Sequence, residues 1–148
     1  LLGYGAPHLA APLQVALRQA RERLPGVRLD GVSWYWPEGE DPRSRRHAPD
    51  AALRLLAPFD PVVWDRRRFT LLWGWTYRFE AYTPAAKRVF GYYALPMLWH
   101  EQVIGWANVS LIEGRLQPTF GYVAGEPKDT AFKAALDEEL QRLTVFLS

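Results

Sequence analysis

The chain of 148 residues contains no cysteine. Disulfides, thiolate nucleophiles and cysteine-ligated metals are therefore excluded, and a cytoplasmic setting is expected. Methionine is almost absent: the one copy is Met97, and the chain opens on Leu1. On that ground the polypeptide is expected to be a piece of something longer. No uninterrupted apolar run approaches the roughly 18 residues of a membrane span, so no membrane partner is expected. No charged leader with a cleavage site is present either. His8, His47 and His100 stand far apart without ligand spacing. Neither a metal nor a cofactor is expected. Ser33, Ser44, Ser110 and Ser148 sit in no nucleophile-elbow context, and there is no glycine-rich phosphate loop.

What is present is apolar and aromatic: 49% of residues are hydrophobic and 14% aromatic. That is enough to bury a core in one compact domain, or in a small domain carrying part of another. The net charge of +2 hides an uneven distribution. Residues 41–90 hold ten Lys and Arg against five Asp and Glu, whereas residues 91–148 hold four against seven. A basic middle section points to an anionic partner, against the plain alternative of a solvated arginine-rich face.

Pro12 suits the first helical position, and Leu13, Ala16, Leu17, Ala20 and Leu24 recur on one helical face until Pro25-Gly26. Val27 to Leu29, the turn Asp30-Gly31, and Val32 to Trp36 read as a hairpin. Residues 1–40 thus read either as the second half of a winged-helix module, a helix followed by a wing, or as any other helix–hairpin unit. Residues 41–50 read as a linker carrying Arg43, Arg45, Arg46 and His47.

Residues 51–148 are expected to form a small antiparallel sheet or barrel with a terminal helix, giving an α+β chain overall. Leu53 to Leu56 reads as a short strand. Asp65 caps a short helix from Arg66 to Trp73, closed by Gly74. Trp75 to Tyr82 alternates as a strand with Trp75, Tyr77, Phe79 and Ala81 on one face. Phe90 to Trp99, Gln102 to Leu111 and Arg115 to Val123 are the next strands, with an edge or bulge at Pro96. The last helix carries a stripe of Phe132, Leu136, Leu140, Leu143 and Leu147, which leaves Asp137, Glu138 and Glu139 to solvent.

Two stretches combine cations with base-stacking residue types. Trp64-Asp65-Arg66-Arg67-Arg68 starts a helix, where Arg66, Arg67 and Arg68 fan in different directions and guanidinium groups can grip phosphate oxygens. Tyr82-Thr83-Pro84-Ala85-Ala86-Lys87-Arg88 sets Lys87 and Arg88 after a rigid turn, with Tyr82 able to stack on an exposed base. The bland alternatives are a helix whose Asp65 pairs with one arginine, and a loop of solvated cations.

These words, with Pro58-Phe59-Asp60-Pro61 and Gly91-Tyr92-Tyr93, occur in the order found in the YcaQ/AlkZ-type winged-helix DNA glycosylases, whose C-terminal region the chain resembles. The ending Trp34-Tyr35-Trp36-Pro37 is similar to that family's last wing. The resemblance implies tandem winged helices and a C-terminal barrel around DNA, acting on alkylated bases or interstrand crosslinks. It also implies a catalytic Gln-x-Gln or Gln-x-Asp word. None of Gln14, Gln19, Gln102, Gln117 and Gln141 starts one, so no catalytic residue is assigned. Where the family often reads Gly-Arg-x-Asp-x-Lys, this chain reads Gly105-Trp106-Ala107-Asn108-Val109-Ser110.

The expected role is to hold and orient double-stranded DNA through its phosphate backbone, by Arg66, Arg67, Arg68, Tyr82, Lys87 and Arg88. The alternatives are a protein-interaction barrel without DNA contact, or a small-molecule-binding barrel with an aromatic-lined pocket.

Overall fold

The computed structural model describes residues 10–147. His8, and most of the stub expected before the first helix, lie outside the described residues. The chain divides into two compact units, Leu1–Ala48 and Pro49–Ser148.

In the first unit, α1 (Ala10–Arg23) is followed by the antiparallel pair β1 (Gly26–Leu29) and β2 (Val32–Tyr35). Pro25 cannot continue the helix, and the Trp36 amide donates to its carbonyl at 3.1 Å, closing the hairpin base. The turn is Asp30 (φ 48°) and Gly31 (φ 78°). Two left-handed residues in a two-residue loop match the twist of the flanking strands, which is why Asp-Gly marks this turn in sequence. On α1, Leu13 and Ala20 are half-buried while Ala16 and Leu17 are exposed, so the expected apolar face is only partly covered.

The second unit is built on an open antiparallel sheet of β3 (Leu53–Leu55), β4 (Leu95–Trp99), β5 (Gln102–Ile112) and β6 (Arg115–Tyr122), in that spatial order. β3 and β6 are its two edges, so it is a sheet and not a closed barrel. Between β3 and β4 the chain forms α2 (Pro61–Trp64), α3 (Arg66–Trp73) and a long irregular segment; α4 (Thr130–Leu147) ends the described chain. Each sheet face carries its own apolar cluster. One joins Leu56, Val63, Phe69, Tyr77, Ala94 and Val103, and the other joins Leu53, Phe132, Ala135 and Leu136 of α4 and the edge strand.

A bulge divides the two clusters along β5. Met97 pairs with Gly105 and Leu98 with Val103, so three residues of β5 oppose two of β4. The extra residue resets the alternation. Val103 and Trp106, three apart, therefore reach the same cluster, while Ile104 packs on the other side. Trp106 lies across from Gly121, where a Cβ would come within 2.2 Å of the indole. The position where the resemblance expects arginine is thus filled by a ring of the core.

Three expectations need correction. Trp75 to Tyr82 is not a strand: the chain runs through Glu80 as irregular backbone without a ladder partner. Its alternation holds from Trp75 to Phe79, with Tyr77 buried and Trp75 and Phe79 half-buried, and breaks at Glu80, which is buried; side chains make the attachment. The Trp75 indole donates to the Val103 carbonyl at 3.0 Å and the Tyr77 hydroxyl to that of Ala94 at 2.7 Å. The strand expected from Phe90 begins only at Leu95, because the amides of Val89, Phe90 and Gly91 turn instead to the Glu80 carboxylate. Glu139, expected in solvent, is buried on α4, where it accepts from the amide of Leu55 at 2.7 Å. An edge strand has unpaired amides to satisfy, and a helix packed over it supplies the acceptor.

Candidate nucleic-acid interface

The first part of the site is a pair of capped turns. The Asp60 carboxylate accepts from the amide of Val62 at 2.8 Å, and Pro61 takes the first position of α2. Asp65 repeats the device for α3, accepting from Arg67 at 3.1 Å and Arg68 at 3.0 Å. Gly74 (φ 73°) ends α3 in the left-handed conformation, its amide on the carbonyl of Thr70. The two turns leave Phe59 and Trp64 more than half exposed.

The three arginines fan as expected, to different ends. Arg66 turns inward: its terminal nitrogens donate to the carbonyls of Val63 at 2.6 Å and Pro58 at 2.9 Å. Its guanidinium lies over the Tyr77 ring, 4.5 Å from the centroid. Burial draws the pKa of Arg66 down from its usual range, against the favourable field of Tyr77. Arg67 is exposed. Arg68 reaches back to the carbonyl of Pro61.

The second part is the loop from Ala81 to Tyr93. Glu80, only 4% exposed, anchors its far end through the three amides of residues 89–91. Gly91 (φ 117°) allows the close approach of Asn108, whose amide donates to the Phe90 carbonyl at 2.7 Å. Inside the loop the Arg88 Nε donates to the Thr83 carbonyl at 2.8 Å, and the guanidinium lies 5.0 Å from the Tyr92 ring centroid. Lys87 is exposed, and Tyr82 is 93% exposed.

The two parts meet through rings. Phe59 stands edge-on to Trp64 at 6.1 Å and to Phe79 at 5.4 Å between centroids. Phe79 in turn meets Tyr82 at 6.1 Å and Tyr93 at 5.3 Å. The result is a continuous aromatic strip of Trp64, Phe59, Phe79, Tyr82 and Tyr93, of which only Phe79 is not exposed. Of the six candidate residues read from sequence, Tyr82 belongs to the strip, and Arg66, Arg68 and Arg88 brace the backbone beside it. Arg67 and Lys87 project without a hydrogen-bond or ion-pair partner among the described residues.

The electrostatics follow from the caps. Residues 57–93 hold six cations, Arg66, Arg67, Arg68, Arg78, Lys87 and Arg88, and three carboxylates, Asp60, Asp65 and Glu80. All three carboxylates accept backbone amides. Among the described residues, none of the six cations is in an ion pair, whereas Arg43 pairs with Asp41, Arg46 with Glu40 and Arg54 with Asp50. A hydrogen bond to a carbonyl orients a guanidinium but leaves its charge in place. Six cations against three carboxylates leave this stretch a net charge of +3, and its cations stand outside ion pairs among the described residues, whereas those of the preceding segment are partly paired.

Sequence reading missed Phe59 and Tyr93 as surface groups because aromatics are core residues by default. The available signal was Asp-Pro and Trp-Asp: an aspartate committed to capping lifts the adjoining ring onto a turn. An open sheet has no interior to line. The depression of about 290 Å³ beside α4 is formed by Leu55, Leu95, Glu139, Arg142, Leu143 and Phe146, without Trp or Tyr. Among the described residues no helix is long and apolar enough to cross a membrane, and no cluster of three or more His, Asp or Glu could hold a metal.

A family model described as AlkZ-like, DNA glycosylase AlkZ-like, matches residues 5–146. No solved structure matches the chain.

Proposed function

Because the chain belongs to the AlkZ-like DNA glycosylase family, we propose that it holds and orients double-stranded DNA in the cytoplasm, gripping the phosphate backbone. The observation that carries this reading is the net charge of +3 on residues 57–93, six cations against three carboxylates, with none of the six in an ion pair among the described residues. Arg67 and Lys87 are the free grips. Arg68 and Arg88 present charge from fixed positions, since each is tethered to a carbonyl. Arg66 braces the turns beneath them. In the first unit, α1 and the β1–β2 hairpin are the helix and wing of a winged-helix module, with residues 41–50 as the tether to residues 51–148. The role is positioning, and no bond-breaking residue is assigned to this chain.

Fluorescence anisotropy with a labelled duplex across a salt series tests the proposal. Affinity should be independent of sequence and fall steeply with salt, since each neutralised phosphate releases condensed counterions. The double variant Arg67→Glu, Lys87→Glu should weaken binding and flatten the log–log salt slope by about 0.9 per lost contact. Both residues are exposed, so its stability should be unchanged. Equal affinity in variant and wild type would remove the assignment.

A further inference from the structure

We propose that the aromatic strip Trp64, Phe59, Phe79, Tyr82 and Tyr93 receives unpaired bases of a DNA strand. The inference rests on the DNA-holding role proposed above and adds what the duplex is read for.

Three observations meet here. Exposed rings on a monomeric surface are ordinarily scattered, whereas these form one linked patch. The patch is also braced. Arg66 holds the carbonyls of Pro58 and Val63, the residues immediately before Phe59 and Trp64. Arg88 holds the carbonyl of Thr83, next to Tyr82, and covers the ring of Tyr92, next to Tyr93. Every exposed ring of the strip therefore adjoins a residue fixed by an arginine. Finally, the surrounding cations have no carboxylate partner among the described residues. An apolar protein surface has no use for that charge, but a strand with phosphates and uncovered base faces uses both features.

A matched duplex buries its base faces in the stack, so rings gain nothing from it beyond the backbone contacts. Bulged, mismatched or frayed bases expose a π-face, and stacking on an aromatic side chain rewards that exposure regardless of base identity. Tyr82, at 93% exposed, presents the most accessible ring. Cations then set the affinity for any DNA, and the strip sets a preference for disrupted DNA.

The test compares a matched duplex with the same duplex carrying a short central bulge, by anisotropy with wild type, Tyr82→Ala, Trp64→Ala and Tyr82→Phe. Wild type should bind the bulged duplex more tightly. Either alanine variant should lose roughly tenfold on the bulged duplex and little on the matched one. Tyr82→Phe should keep the preference, since the ring and not the hydroxyl carries it. Equal wild-type affinity for the two duplexes, or a preference that survives both alanine variants, overturns this inference and leaves the phosphate grip standing. Failure to bind either duplex overturns both. Concentration-dependent self-association, abolished by the same alanine variants, would assign the strip to a second copy of the chain instead.

Discussion

The guanidinium of Arg66 lies over the ring of Tyr77, 4.5 Å from its centroid, while its two terminal nitrogens reach the carbonyls of Pro58 and Val63. One side chain thereby ties the two turns that carry Phe59 and Trp64 to a buried ring of the core. A planar fork spans two carbonyls while lying flat on a ring face; the compact ammonium of lysine has three donors but neither that span nor a plane to lay on the ring.

Arg66→Lys should therefore lower stability by about 2 kcal/mol, the combined order of a lost charge-assisted hydrogen bond and a weakened cation–π contact. The charge is retained, so DNA affinity at matched temperature should change far less than the unfolding midpoint. Urea denaturation alongside anisotropy separates the two effects. A variant of wild-type stability would show that the turns are ordered without the fork.

Tyr77 predicts an alkaline loss of stability. Burial pushes its phenol up to about 12 from an ordinary value near 10. Its hydroxyl donates to Ala94 in the neutral form only. Folding thus favours the protonated phenol. The contribution is present in full below about pH 10 and is lost as pH rises toward 12, on the order of 2 kcal/mol across that window. Tyr77→Phe should cost about 1 kcal/mol at neutral pH for the missing hydrogen bond. It should also show a shallower decline between pH 10 and 12. Parallel stability–pH curves for the two proteins would contradict the assignment.

Glu80 is the organiser of the loop that presents Tyr93. One carboxylate oxygen accepts the amides of Val89 and Phe90 at 2.8 Å and that of Gly91 at 3.4 Å. Glu80→Ala would leave these donors without their acceptor in a partly buried setting, at a cost of about 2–3 kcal/mol. Glu80→Gln keeps one oxygen in place and should cost less. Amide exchange at residues 89–91 should accelerate in both variants, more in alanine. Unchanged protection there would mean that the loop is held by other contacts.

Much of the frame is legible in the sequence because its signals are local. Asp30-Gly31 and Glu113-Gly114 both adopt the paired left-handed turn that their residue types favour. Asp65 and Gly74 bound α3 as their chemistry requires. Phe132 and Leu136 bury the first half of the α4 stripe, Leu140 and Leu143 are half-buried, and Leu147 is exposed. What sequence hides is the identity of the partner. Period-two alternation at Trp75, Tyr77 and Phe79 reports which way side chains face, and it is silent on whether the backbone has a ladder to join. The carboxylates show the same limit. Asp65 reads either as the cap of the helix or as a partner for one arginine, and it is the amides of Arg67 and Arg68 that take it.

Glu139 extends the same logic to the other face of the sheet. It is 6% exposed, sits on the buried side of α4, accepts from the Leu55 amide of the edge strand at 2.7 Å, and pairs with Arg142 one turn on. The carboxylate therefore joins α4 to β3 by a polar contact within an otherwise apolar seam that includes Phe132 and Leu136. Glu139→Ala removes the acceptor from an edge amide and a partner from Arg142, and should cost about 2–3 kcal/mol. Glu139→Gln retains an acceptor of the same reach and should recover about half of that loss. Arg142 is mostly exposed, so Arg142→Ala should cost less than 1 kcal/mol. The ordering alanine at 139, then glutamine at 139, then alanine at 142 identifies the Leu55 bond as the main contribution. Equal losses for Glu139→Ala and Arg142→Ala would assign it to the ion pair instead. Urea denaturation of the three variants decides between them, with exchange of the Leu55 amide as the local check.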